Sequence, residues 1–267
     1  MTTTELTLAG VPVTISEQGA GQPVLLLHGG GGPQTVAPFA DQLAGYGRFQ
    51  VITPVHPGFG GTPRPDSLTT VGGLADLYGQ VLDALDLRDV IVVGNSIGGW
   101  IAAELVLRAP GRIAGLVLAN AVGIVVPGHP ITDILPLAPA ELLKLSFYDP
   151  EPFRVDPAAL PEAQQRIMAG NRATLMVYGG TPTTGDVTLA GRLGQLATPT
   201  LVVWGEADQI VDPDYGRAFA AAIPGARFLL LDRAGHMPQL EATDRLTQAV
   251  REFAAASVAS AATSSGA

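Results

Sequence analysis

The residues best placed to do chemistry are Gly94-Asn95-Ser96-Ile97-Gly98-Gly99. This run follows the apolar stretch Val90–Val93 and opens a helical pattern at Ile97. The serine therefore falls in a strand–turn–helix, where Gly-x-Ser-x-Gly is a nucleophile elbow. Gly94 and Gly98 must be small so that strand and helix can approach, and the tight turn pushes the Ser96 hydroxyl out at the carboxyl edge of a sheet. A helix N-cap serine in a glycine-rich turn would use the same letters. The strand before it and the helix after it favour the elbow.

A serine hydroxyl needs a base. Of the four histidines, His236 lies in Ala234-Gly235-His236-Met237-Pro238, between a strand ending at Leu231 and the last helix. That is the carboxyl edge of a strand, where open α/β sheets keep their sites. The base in turn needs an acid to orient it and to stabilise imidazolium. Asp208 follows the strand Thr200–Trp204 and is the expected acid, with Glu206, Asp212 and, less favoured, Asp232 as fallbacks. An oxyanion needs backbone donors. His28-Gly29-Gly30-Gly31-Gly32 follows the strand Val24–Leu27, and its glycines let backbone come close to a substrate. The expected donors are the N–H of Gly30, with Gly31 as alternative, and the N–H of Ile97. A phosphate-binding loop is excluded: no Gly-x-x-x-x-Gly-Lys exists and the glycine run stops at Pro33.

The remaining candidates have plainer readings beside the functional one. His28 is read as a brace of the glycine turn, and His56 as structural. His129, in Pro127-Gly128-His129-Pro130, is a candidate substrate contact at the entrance to a helical insertion. Trp100 and Trp204 read as core. Leu135, Leu142, Phe147, Met168, Leu175, Met176 and Tyr178 fit either an apolar pocket or the insertion's own core. No His-Glu-x-x-His and no close histidine pair is present, so neither a metal nor any other cofactor is expected.

The elements that must hold these residues alternate. Leu6–Leu8 and Val11–Ile15 read as a hairpin; Val24–Leu27, Phe49–Thr53, Val90–Val93, Gly115–Ala119, Thr200–Trp204 and Arg227–Leu231 read as strands covered on both faces. Helical patterns lie at Pro38–Tyr46, Thr70–Leu87, Ile97–Arg108, Pro213–Ile223 and Ala242–Ala256. Alternation of this kind predicts right-handed crossovers and a doubly wound α/β fold. From Val122 to Leu196 the rhythm breaks: helical pieces at Pro139–Phe147, Pro161–Tyr178 and Val187–Leu196 are separated by Pro/Gly loops. The expected division is a core of residues 1–121 and 197–256, a helical cap at 122–196, and a disordered tail at 257–267 rich in Ala and Ser.

Composition narrows the function classes. Of 267 residues 47% are hydrophobic and only 15% charged, which builds a core rather than a disordered chain. The net charge is -9, and lysine occurs once, at Lys144, with no basic run. A nucleic-acid partner is therefore not expected. The absence of cysteine removes disulfides, thiolate nucleophiles and Cys-metal sites. The N-terminal residues lack a basic then apolar leader pattern and no apolar run is long enough to span a bilayer, so a soluble cytoplasmic protein without a membrane partner is expected. Oligomeric state is open, with a homodimer allowed.

Together, His28-Gly29-Gly30-Gly31, Pro57-Gly58-Phe59-Gly60, the elbow, Gly205-Glu206-Ala207-Asp208 and Gly235-His236 resemble the α/β-hydrolase superfamily, over essentially the whole folded length. The order Ser96, Asp208, His236 is that of its triad. The resemblance implies a mostly parallel eight-stranded sheet with a helical cap over the triad. Gly-Asn-Ser-x-Gly-Gly with His-Gly-Gly-Gly further resembles the meta-cleavage-product hydrolases, which cut C–C bonds in dienoic acids. That likeness implies a substrate contact for Asn95 and an active-site arginine in the cap, Arg172 or Arg166. Gly31 and Met237, beside the expected donor and base, complete the candidate substrate contacts. The expected activity is cofactor-independent hydrolysis of a small hydrophobic ester or lactone through an acyl-enzyme. The rivals are C–C cleavage of a vinylogous diketo acid, acyl transfer to an acceptor other than water, and a non-catalytic ligand-binding protein on the same fold.

Overall fold

The computed structural model describes residues 1–180 and 185–264. Eight strands form one sheet in the order β1-β2-β4-β3-β5-β6-β7-β8, with β1 Thr2–Leu8, β2 Val11–Gly19, β3 Gln22–Leu27, β4 Phe49–Pro54, β5 Val90–Asn95, β6 Ile113–Ala119, β7 Thr200–Gly205 and β8 Arg227–Leu231. The hairpin β1–β2 and the pair β2–β4 are antiparallel; every other pairing is parallel. The expected doubly wound, mostly parallel sheet is what forms.

Apolar runs make β3 to β7 because both faces are covered. β1 and β8 stand at the sheet edges, and Arg227–Leu231, expected to be covered on both faces, is only partly buried because it has a neighbour strand on one side alone. Side chains alternate across a strand. Val24, Leu26, Ile91 and Val93 point to one face, where they pack with α1 (Ala37–Gly45) and α9 (Thr243–Ser264) through Phe39, Leu43, Leu246, Val250 and Phe253. Leu25, Leu27, Val90 and Val92 point to the other. There they meet α2 (Val71–Ala84), α3 (Ile97–Arg108) and α7 (Pro213–Ala221) through Leu74, Tyr78, Ile101, Leu105 and Phe219. Thr70 caps α2 by accepting from the Gly73 N–H at 3.0 Å, which sets where the buried stripe of that helix begins.

Between β6 and β7 the chain carries α4 (Pro139–Ser146), α5 (Glu162–Gly179) and α6 (Leu189–Leu193), and no strand among the described residues. A short α8 (Pro238–Glu241) precedes α9. One expectation fails at the C-terminus: α9 runs to Ser264, well into the segment expected to be disordered. Alanine is the best helix former, and Ser257, buried, donates its hydroxyl to the Phe253 carbonyl at 3.0 Å. Residues 265–267 of that expected tail lie outside the described residues.

Candidate active site

The turn from β5 into α3 is as tight as its glycines demand. A Cβ on Gly94 would strike the Gly98 carbonyl, and one on Gly98 would strike the Leu27 carbonyl. Ser96 sits at φ 55°, ψ −122°, outside the regions a serine prefers. Such strain persists only where the surroundings over-determine it. Here the Ser96 N–H donates to Ala119 O at 3.1 Å and its carbonyl accepts from Val122 N at 3.2 Å, so the end of β6 holds the turn.

The three residues drawn from distant parts of the sequence meet at this point. Ser96 Oγ lies 2.9 Å from His236 Nε2, and His236 Nδ1 lies 2.8 Å from Asp208 Oδ2. A carboxylate only accepts, so Nδ1 carries the proton and Nε2 is free to accept from the serine hydroxyl. Asp208 is 2% exposed and its charge is fully met. Oδ1 accepts from the N–H groups of Ile210 and Val211 at 2.8 and 3.1 Å, and Oδ2 from His236 and from Asn120 Nδ2 at 2.7 Å. Glu206, Asp212 and Asp232 are not used in this way.

The glycine loop lies beside the serine: a Cβ on Gly29 would come 3.2 Å from Ser96 Cβ. Neither the Gly30 nor the Ile97 amide has an acceptor among the described residues. Two buried imidazoles support this loop. His56 N–H donates to His28 Nε2 at 3.1 Å, so His28 carries its proton on Nδ1 and donates it to Gly29 O at 2.8 Å. His56 Nε2 donates to His28 O at 2.9 Å, leaving its Nδ1 to accept from the Tyr78 hydroxyl. Burial lowers His28 to a pKa of about 4; burial and the neighbouring His28 hold His56 well below the usual range, so both are neutral. Burial likewise raises Tyr78 and keeps it a donor.

Several expected substrate contacts are spent on structure instead. Asn95 is buried, and its amide donates to Ala119 O and His236 O, each at 3.1 Å, while its oxygen accepts from Gln239. It anchors the His236 loop from behind, with both amide hydrogens engaged. The Arg172 guanidinium donates to the carbonyls of Ile134 and Leu135, tying down a loop of the insertion. Arg166, mostly exposed, pairs with Glu162. His129 pairs with Asp212 at 2.8 Å, and Asp212 caps α7. Burial would raise Asp212, but His129 and the backbone N–H groups around it hold its carboxyl low. His129, Asp212 and the exposed Asp214 bring ligand-type atoms within 4.8 Å of one another. Gly31 keeps its place on the loop, with its carbonyl turned to Asn171. Met237, half-buried, follows the base directly and caps α8.

Of the apolar residues considered for a pocket, Leu175 is the one that reaches the loop: a Cβ on Gly30 would lie 2.6 Å from its methyl group. Met168 and Met176 face outward, 40% and 39% exposed. Tyr178 is buried and donates to Pro57 O at 2.9 Å. Trp204 is core, as expected, with its indole N–H on Val211 O.

Sequence reading missed four groups. Asn120 stands at the end of β6, and Asn171 and Thr174 share a face of α5 with Tyr178. The fourth is the carboxyl end of α4: Ser146 O accepts from His236 N at 2.7 Å and Leu145 O from Gln209 N at 3.1 Å, so one helix end grips both the base loop and the acid loop. Position was the available signal for Asn120, since it follows a strand as Ser96, Asp208 and His236 do. For α5 it was the spacing of three and four between polar residues.

A model of the alpha/beta hydrolase family matches residues 24–249. The chain is 31% identical to 2-hydroxymuconate semialdehyde hydrolase of Pseudomonas putida, covering 94% of this chain and 93% of that one. It is equally 31% identical to Lipase 1 of Psychrobacter immobilis, covering 93% and 82%. Among solved structures, a variant of the meta-cleavage product hydrolase CumD superposes with a TM-score of 0.76 at 25% identity, covering 94% of this chain and 97% of that one. The chain belongs to the alpha/beta hydrolase family.

Proposed function

We propose that the protein is a serine hydrolase of a small, apolar carboxylic ester or lactone. The observation that carries this is the unbroken chain of hydrogen bonds from Ser96 Oγ through His236 to a fully satisfied Asp208 carboxylate. In this reading Ser96 attacks the carbonyl carbon as His236 Nε2 takes its proton. Asp208 holds the imidazole in one tautomer and stabilises the imidazolium. The Gly30 and Ile97 amides receive the oxyanion, a contribution whose loss for one donor costs about 10²–10³ in rate. His236 then returns its proton to the leaving oxygen, and a water deprotonated by the same nitrogen attacks the acyl-enzyme and frees the acid.

The apolar preference is supported by Leu175 over Gly30, and by the Arg172 Nη2 donors being turned to the Ile134 and Leu135 carbonyls rather than to the glycine loop. A second reading, hydrolysis of a C–C bond in a dienoic diketo acid, is favoured by the likeness to 2-hydroxymuconate semialdehyde hydrolase. Turnover of p-nitrophenyl short-chain esters, lactones and a coloured dienoate, measured side by side, separates the two. Ser96→Ala should fold normally and lose both ester turnover and labelling by a fluorophosphonate. Labelling retained in that variant removes Ser96 from the mechanism.

A further inference from the structure

Three side chains on one face of α5 donate hydrogen bonds to loops around the glycine turn. Asn171 Nδ2 donates to Gly31 O at 2.9 Å, Thr174 Oγ1 to Gly58 O at 3.0 Å, and Tyr178 Oη to Pro57 O at 2.9 Å. Asn171 also accepts, through Oδ1, from Gly60 N at 2.8 Å. It is 3% exposed and thus joins two separate loops from a single buried amide.

The consequence runs through two peptide planes. A peptide is planar and trans, so fixing its carbonyl fixes the aim of the N–H on the other side. Asn171 holds the Gly31 carbonyl, and the N–H of the same plane, on Gly32, donates to Gly29 O at 3.1 Å. Gly29 O shares its plane with the Gly30 N–H. Gln34 also donates to Gly31 O, at 2.6 Å, but it sits on the same loop and moves with it. Only Asn171 refers that carbonyl to α5 and to the Gly60 loop. Room for its reach is made by Gly32 at φ 97°, where a Cβ would lie 2.5 Å from Asn171 Nδ2.

We propose that Asn171 is a positioning residue for the oxyanion donor: helix α5 aims the Gly30 amide through the Gly31–Gly32 and Gly29–Gly30 peptides. The inference rests on the serine-hydrolase reading, with Gly30 as donor. His28 grips the same Gly29 carbonyl from the core side, so the plane is set from both directions. Displacement of a reacting group by about 1 Å costs on the order of 10²-fold.

Fluorophosphonate labelling tests this independently of the natural substrate, since phosphonylation also develops charge on an oxygen in the hole. The maximal labelling rate and the half-saturating concentration are measured for the wild type, Ser96→Ala, Asn171→Ala and Asn171→Asp. Asn171→Asp keeps the size and the Gly60 contact but sets a carboxylate against Gly31 O, and it serves if the alanine variant fails to fold. The expected result is a maximal rate about 10- to 100-fold lower in both Asn171 variants, with the half-saturating concentration within about threefold. A tetrahedral-adduct inhibitor, a trifluoromethyl ketone, should lose affinity in the same proportion as the rate. An unchanged rate in folded Asn171→Asp, or an effect confined to half-saturation, overturns the proposal while leaving Ser96 in place. A wild type that does not label removes the serine reading and this inference together.

Discussion

Asn120 and Asp208 are joined by a hydrogen bond of 2.7 Å to the same carboxylate oxygen that receives His236 Nδ1. Asn120 is fully buried at φ 48°, and its amide also accepts from Gly205 N and donates to Gly235 O, both at 3.3 Å. One side chain thus spans the ends of β6 and β7 and the loop that carries the base. Asn120→Gly tolerates the backbone conformation and deletes every one of these bonds. A hydrogen bond to a charged group contributes about 1.5–3 kcal/mol. The expected result is a melting temperature several degrees lower and about tenfold slower turnover with KM little changed. Full turnover in this variant would show that three donors suffice to hold Asp208.

Gly98→Ala should be far more damaging than its single added methyl suggests. The new Cβ meets the carbonyls of Leu27 and His28, which are backbone and cannot swing aside. Either α3 lifts from β3 or the elbow distorts, and overpacking of this kind costs about 1–3 kcal/mol or more. Urea unfolding should register that loss, and labelling of Ser96 should fall with it. Gly111→Ala, where a Cβ meets nothing within 4 Å, is the control expected to leave both unchanged.

Glu241 links α8 to two loops: Oε2 accepts from Gly235 N at 2.7 Å and Oε1 from Asp149 N at 3.0 Å. Burial raises its carboxyl above the ordinary value, against the pull of these N–H donors. A raised acid favours the protonated form in the fold, so this group's contribution to stability declines as pH rises through its titration. Glu241→Gln cannot accept with both terminal atoms and must release Gly235 or Asp149. Because the site is half-exposed, the expected loss is only about 1 kcal/mol. The more telling measurement is amide exchange at Gly235 and His236, which should quicken; protection equal to wild type would dismiss the link.

The legibility of the molecule divides along a physical line. Helices such as Ile97–Arg108 were readable to the residue because near-complete burial and flanking glycine and proline leave a strong pattern, and the edge strand Arg227–Leu231 was readable from its short apolar run between turn residues. The meeting of Ser96, Asp208 and His236 was readable because each ends a parallel strand, and topology brings such ends to one edge. What the pattern could not give was the fate of each polar group. Asn95 lies beside the nucleophile, yet its amide is consumed by Ala119 and His236. Arg172 lies on α5, yet its Nη2 is turned to a neighbouring loop, while Asn171, one residue away and turned inward, does the joining. Which way a side chain faces on a weakly amphipathic helix is decided by packing rather than by local sequence, and the alanine-rich end of α9 shows the same for order.

The buried pair His28 and His56 gives the fold an acid limit. Burial depresses both, His28 to about 4 from an ordinary 6.5, so the fold resists protons that the unfolded chain accepts. Above about pH 6.5 both states are neutral at these residues and their contribution is fully present. As pH falls below that value the unfolded chain binds protons first, and stability is lost progressively until His28 itself titrates near 4. For His28 alone the full span amounts to about 3 kcal/mol, and His56 adds in the same direction. Protonation would also place a donor on His28 Nε2 against the His56 N–H, pushing apart the two groups that brace Gly29. Urea unfolding at about pH 7.5 and about pH 4.5 should therefore give a smaller difference for His28→Asn than for the wild type, by about 2–3 kcal/mol. Equal differences in the two proteins would mean that acid enters the fold through its carboxylates and not through this pair.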